Sequence, residues 1–327
     1  MKFAIIIAAY NVAPYLSQAI DSVISQDYKN FELIIVDDGS SDDTLSIAQQ
    51  YALKHPDIIK VIDLGKNTGT WNARYQGVLA TSEDVELITF LDGDDYFYPY
   101  ALTNIHNQWS TTQPDFLCNS IFIEKEEQTE PQKNNIFKNQ YKKEFTYRQK
   151  AFSLEQILGS YIIRQFFPWF IAGKVYKRSL LLSTYHRIGK ITDRYYISED
   201  LLLTIAYLIS CQKIAMNFTP FYFYRYIPKK SEEYLRETRK QKNITISHLT
   251  KLSDNEEFII KIFIQKHILL QKDYFFVFNR TPPYILRKIY KTKRRIKLKH
   301  IRSMYYRHVI GGIKGHTLAL LSYFQKV

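Results

Sequence analysis

Apolar runs of strand length, each ending at a turn or an acidic cluster, constrain this chain more than any other feature. They are residues 3–9 (FAIIIAA), 31–36 (FELIIV) and 85–91 (VELITFL), with a shorter run at 58–62. Between the first two, Leu16, Ile20, Val23 and Ile24 recur at the helical spacing i, i+4, i+7, i+8. Ser41 or Asp42 is placed to cap a helix running to about residue 54, and 70–80 reads as another. Strand alternating with helix at this spacing predicts an α/β fold with a doubly wound, mostly parallel sheet. In such sheets ligands bind beyond the carboxyl ends of the strands, and Asp37-Asp38 and the 92–95 cluster sit at two of those ends. Further on, 171–176 and 214–226 have strand character, 201–210 looks helical, and 124–150 reads as an exposed polar excursion.

Charge divides the chain. Residues 229–327 hold 23 Lys and Arg against 7 Asp and Glu, a net of +16, whereas 1–228 carry −3. We therefore expect a catalytic domain over 1–228 and a basic, mainly helical region over 229–327. In that region Ile285, Ile289 and Ile296 fall at i, i+4 and i+11 among the basic residues of 288–299. A cationic helix with an aliphatic stripe suits an anionic bilayer surface, while a solvated basic face or an oligomer contact is the plainer alternative. No nucleic-acid motif accompanies it. Two distant cysteines, Cys118 and Cys211, exclude a disulfide framework and fit a reducing compartment. No leader and no spanning segment are expected, which leaves a chain that is soluble or lies on a surface.

Four constellations carry candidate chemistry. Asp92-Gly93-Asp94-Asp95 packs three carboxylates into four positions, an arrangement that repels itself unless a cation is present. Oxygen donors on a loop suit Mg²⁺ or Mn²⁺ with phosphate completing the shell, although Asp is also common in turns. Asp37-Asp38-Gly39-Ser40 offers a carboxylate to the imide N–H of a uracil, or is an ordinary turn. Lys66-Asn67-Thr68-Gly69 with Ala73-Arg74 offers a backbone that a ligand can approach at Gly69 and an Arg suited to a diphosphate. Glu199-Asp200 opens an apolar helix, either as a general base or as helix-end acids.

In order, Ala9-Tyr10-Asn11, Val36 to Ser40, Asn67-x-Gly69 with Ala73-Arg74, Leu91 to Asp95 and Glu199-Asp200 resemble the inverting family 2 glycosyltransferases of GT-A fold. The resemblance covers about residues 1–226. The first loop departs from the family pattern, with Ala8-Ala9 where Pro-Thr or a similar pair usually precedes Tyr-Asn. The resemblance implies a nucleotide-diphospho-sugar donor, a UDP-sugar by default. It places Ala8, Tyr10 and Asp38 at the base, Asn67 and Arg74 along the nucleotide, and Asp92 with Gly93 against ribose or metal. Asp94 would hold Mg²⁺ or Mn²⁺, with Asp92 and Asp95 beside it, and Asp200, helped by Glu199, would be the base. The implied acceptor is a bacterial surface glycan or glycolipid (lipooligosaccharide, O-antigen or capsule), reached from the cytoplasmic face of the membrane. A sugar nucleotidyltransferase and a catalytically silent assembly module remain as alternatives.

Overall fold

In a computed structural model, residues 1–125, 151–153, 170–196, 199–226 and 232–254 are described. The chain divides into two compact units, Met1–Gln271 and Lys272–Val327, and every described residue lies in the first.

The first half builds β1 (Phe3–Ala9), α1 (Ala13–Ile24), β2 (Phe31–Asp37), α2 (Thr44–Lys54), β3 (Ile59–Asp63), α3 (Thr70–Leu79) and β4 (Leu87–Asp92). Next come β5 (Tyr96–Phe97), α4 (Ala101–Thr112), β6 (Phe116–Lys125) and β7 (Ala151–Ser153). The remainder comprises β8 (Lys174–Lys177), α5 (Arg178–Ile188), α6 (Glu199–Leu208), β9 (Lys213–Tyr226) and α7 (Glu232–Asp254). The strand order is β3-β2-β1-β4-β8-β6-β9-β5, with β7 paired to β9. β3, β2, β1 and β4 run parallel, in the expected doubly wound arrangement. β8 then enters antiparallel to both β4 and β6, so the second half of the sheet is mixed.

The cause of the parallel half is visible in its burial. Every residue of β2 is buried, and so is every residue of β1 except Ala8. Strands covered on both faces need continuous apolar runs rather than alternation. Each fully buried Ile of β1 contributes about 1.5–3 kcal/mol relative to exposure. α1 begins with a Pro in its first turn and buries Leu16, Ala19, Ile20 and Val23, the stripe read from the sequence. The start of α2 differs from expectation. Its cap position is Asp43, whose side chain makes no capping bond, while Asp42 Oδ1 accepts the Thr44 N–H and Oδ2 accepts that of Ala13. The carboxylate thus ties α2 to the loop after β1 instead of closing its own helix.

α7 packs against α6 and belongs with the first unit, past the division near residue 229 suggested by charge. The expected basic stripe at 288–299 and most of the polar excursion lie outside the described residues. No helix among the described residues is long and apolar enough to cross a membrane. Cys118 and Cys211 are both buried free thiols.

Candidate active site

At the carboxyl ends of β1, β2 and β4, three loops are stitched to one another. Ala9 O accepts the Asp38 N–H at 2.8 Å, and Asn11, in the left-handed region at φ 52°, accepts the Ser41 N–H at 2.8 Å. Ala8, paired with Val36 and Asp92, sits between the two acidic loops. Tyr10 stands out from this rim, 42% exposed.

The centre of the site is Arg74. It is buried on α3, and its guanidinium meets three carboxylates: Nη2 lies 2.7 Å from Asp92 Oδ1, and Nη1 lies 2.8 Å from Asp200 Oδ1 and 3.1 Å from Glu199 Oε1. Arg74 was expected to grip a diphosphate; here, at 4% exposure, its guanidinium is engaged by the protein's own carboxylates. The guanidinium itself is held well above its ordinary pKa by those carboxylates, against burial, which works the other way. Burial and the neighbouring Asp200 charge push Glu199 up to about 8, only partly offset by Arg74. Burial therefore favours the protonated form of Glu199 near neutral pH.

The 92–95 loop is braced from β9. Tyr222 accepts the Asp92 N–H at 3.0 Å and donates to Asp95 Oδ2 at 2.7 Å, while the Arg225 N–H donates to Asp95 Oδ1 at 2.7 Å. Burial, with Asp92 and Asp94 adding like charge, pushes Asp95 up to about 8. Asp95 is thus a buried brace, with both oxygens held from β9. Among the described residues no group of three or more His, Cys, Asp or Glu side chains forms a closed cage for a metal. The loop offers half-exposed Asp94 and Asp92, whose Oδ1 is held by Arg74. Two carboxylates with positions left for phosphate and water are the donor chemistry that Mg²⁺ and Mn²⁺ take. The residues fit such an ion.

Opposite lies the loop expected to line a nucleotide. Asp38 fastens it: Oδ1 accepts the Thr68 N–H and hydroxyl, both at 2.7 Å, and Oδ2 accepts the Gly69 N–H at 2.8 Å. Asp38, expected to serve a uracil imide, is 3% exposed and spends three acceptor positions on the chain's own loop. Asn67 Oδ1 is buried without a hydrogen-bond partner among the described residues. Gly39 and Gly69 have φ of 70° and 94°, a region that favours glycine. A Cβ on Gly39 would lie 2.4 Å from Lys66 C, and one on Gly69 would lie 2.5 Å from Tyr195 N. The backbone that approaches Gly69 is therefore the protein's own. Tyr195 is in turn bracketed by α7: Gln241 donates to Arg194 O at 2.8 Å and accepts the Tyr196 N–H at 2.7 Å, and Thr245 Oγ1 lies 2.6 Å from the Tyr195 hydroxyl. Arg194, exposed beside this bracket, lies over the Tyr10 ring at 6.0 Å.

The family profile described as Glycosyl transferase family 2 matches residues 4–167, half of the chain. The chain belongs to that family. This glycosyltransferase is 31% identical over 194 residues to the minor teichoic acid biosynthesis protein GgaA of Bacillus subtilis, covering 56% of its own length and 38% of the relative's. It spans about a third of the length of the first curated relatives it matches. Its fold is that of GT-A enzymes. The crystal structure of Staphylococcus aureus TarS 1–349 in complex with UDP-GlcNAc matches with TM-score 0.61 at 19% identity, over 91% of this chain and 77% of that one. The mannosyltransferase PcManGT of Pyrobaculum calidifontis, solved with GDP-Man and Mn²⁺, matches with TM-score 0.53 at 16% identity, over 93% and 82%.

The structure brings Asp92, Arg74, Glu199 and Asp200 of the glycosyltransferase into one cluster, and Asp38, Asn67 and Gly69 into another. Sequence reasoning assigned no role to Tyr222, Gln241 or Lys174. Tyr222 lies in an aromatic strand where nothing distinguishes a brace from core, and Gln241 reads as one polar residue of a basic helix.

Proposed function

We propose that this glycosyltransferase moves a sugar from a UDP-sugar, with inversion, to a hydroxyl of a bacterial cell-surface polymer. The observation that carries this is the Arg74 cluster, which holds a carboxylate of the acidic loop and the carboxylate of the proposed base on one guanidinium. The UDP donor is supported by the likeness to TarS, solved with UDP-GlcNAc, and the acceptor class by the likeness to GgaA. The donor would lie over Tyr10 and the 67–69 loop, with Asp92 and Asp94 holding Mg²⁺ or Mn²⁺ at the diphosphate. When bound, that ion supplies stabilisation of charge on the leaving diphosphate. Asp200, with its side chain 30% exposed at the first turn of α6, removes the acceptor's proton as that oxygen attacks the anomeric carbon. One base and no enzymic nucleophile suffice for a single inverting displacement. This reading also keeps the chain on the inner face of the cell membrane, supported by the net +16 over residues 229–327.

A panel of UDP-, GDP- and dTDP-sugars with Mg²⁺, Mn²⁺ or EDTA, read by nucleotide release and by the anomeric configuration of the product, tests the reading. Turnover of a UDP-sugar that needs the ion and inverts configuration is expected. A retained configuration, or equal turnover in EDTA, would overturn it.

A further inference from the structure

Lys174 is the one lysine among the described residues that lies fully inside the protein, 1% exposed at the start of β8. Its carbonyl accepts the Thr89 hydroxyl at 2.9 Å and its N–H returns to Ile171 O at 3.2 Å, closing a tight turn over 171–174. Asn119 holds the same turn from β6, donating its backbone N–H and side-chain amide to Gly173 O at 2.8 and 3.1 Å. The Lys174 side chain folds back over the Phe170 ring, and its ammonium donates to Phe170 O. The N–H of that same peptide group, Ile171 N–H, donates to Asp200 Oδ2 at 3.2 Å.

We propose that Lys174 is a positioning residue for Asp200, acting through the single peptide group between Phe170 and Ile171. The inference rests on Asp200 being the base. An amide whose oxygen accepts from a cation is polarised, and its N–H becomes a stronger donor. Asp200 is then held at both oxygens, Oδ1 by Arg74 and Oδ2 by Ile171, and each oxygen keeps a lone pair for the acceptor's proton. A buried ammonium is otherwise a costly way to satisfy one carbonyl.

Burial lowers Lys174 to about 8, with Cys118 and Asp200 pulling it back up. The charge that polarises the peptide is therefore present at neutral pH and lost as pH rises through that value. Cys118 on β6, pushed up to about 12 by burial, and Tyr176 on β8, raised well above its usual value by burial, stay neutral there. Asp200 is also faced by Arg74, Glu199, Tyr185 and Tyr195. Of these Glu199 titrates near 8 as well, so only a comparison between wild type and variant isolates Lys174.

The test uses the full chain with Mn²⁺ and the nucleotide sugar that the panel turns over fastest, water standing in for the acceptor. Lys174→Met is close in shape and removes a buried charge, a change that often leaves stability intact or raises it. We expect kcat to fall about tenfold or more, with donor KM and Tm unchanged and the wild-type loss of rate above about pH 8 reduced. The Ile171 amide proton, followed by NMR, should move upfield in the variant, a readout that needs no turnover. If the Met variant does not fold, Lys174→Gln is read by the same criteria. An unchanged kcat and Ile171 resonance would overturn the proposal, as would equal losses in kcat, donor KM and Tm, or failure of both variants to fold. Asp200→Asn separates the two levels: if it turns over donor at the wild-type rate, the base assignment is wrong, whereas an inactive Asp200→Asn beside a fully active Lys174→Met removes the relay alone.

Discussion

Arg74 and Asp200 stand 126 positions apart in the chain and meet in a 2.8 Å ion pair. The pair joins α3 to α6, which carries the proposed base. Because the same guanidinium also holds Asp92, a change at one of these residues is felt by the others.

Arg74→Leu leaves Asp92 and Asp200 without their cation. We expect a loss of about 3 kcal/mol, the low end for a broken buried pair, because both carboxylates remain about a third exposed. Urea unfolding of wild type and variant measures it. A loss under about 1 kcal/mol would mean the cluster holds little of the fold together.

Asp94→Ala should abolish metal-supported nucleotide binding without unfolding the protein. Calorimetry of UDP with Mn²⁺ is the measurement, and equal affinity in the two proteins would remove Asp94 from the ion's shell.

Asp200→Asn should retain that binding and lower transfer by about a hundredfold or more, since a positioned base contributes at least that much. The signature is a collapse of kcat with donor KM little altered.

Glu199→Gln addresses pH. The folded carboxyl titrates at about 8, above its unfolded value of about 4.3. Between those values the folded state binds the extra proton, so the wild type loses stability as pH rises from about 4 to 8. A Gln cannot titrate, and the variant should therefore gain on the wild type as pH rises. Unfolding curves at pH 5 and pH 8.5 show it; a variant whose stability relative to the wild type stays constant or falls with rising pH would contradict the assignment.

Gly69→Ala should cost about 2–4 kcal/mol, combining left-handed strain with a Cβ 2.5 Å from Tyr195 N. Thermal unfolding is the check.

The parallel half of the sheet was legible because strands buried on both faces must be mostly apolar, and β1, β2 and β4 are, with Glu32 and Thr89 as the buried polar exceptions. The acidic loops were legible as well, because crowded carboxylates after such a run are hard to explain by packing. What the residues do to one another was not legible. Asp38 and Asp95 look like ligand contacts in sequence, yet each is enclosed and satisfied, Asp38 by the neighbouring 68–69 loop and Asp95 by Tyr222 and the Arg225 backbone. The destination of Arg74 depended on where α6 would come to rest, which no local pattern near Arg74 encodes. Lys174 and Tyr222 were hidden because a polar group buried among apolar neighbours leaves no periodic signature.

The α7 bracket around Tyr195 gives the 67–69 loop a second support. Gln241 and Thr245 fix the backbone on which Gly69 rests. Substitutions on a helix about 170 residues downstream can therefore shift that loop while every acidic motif stays unaltered.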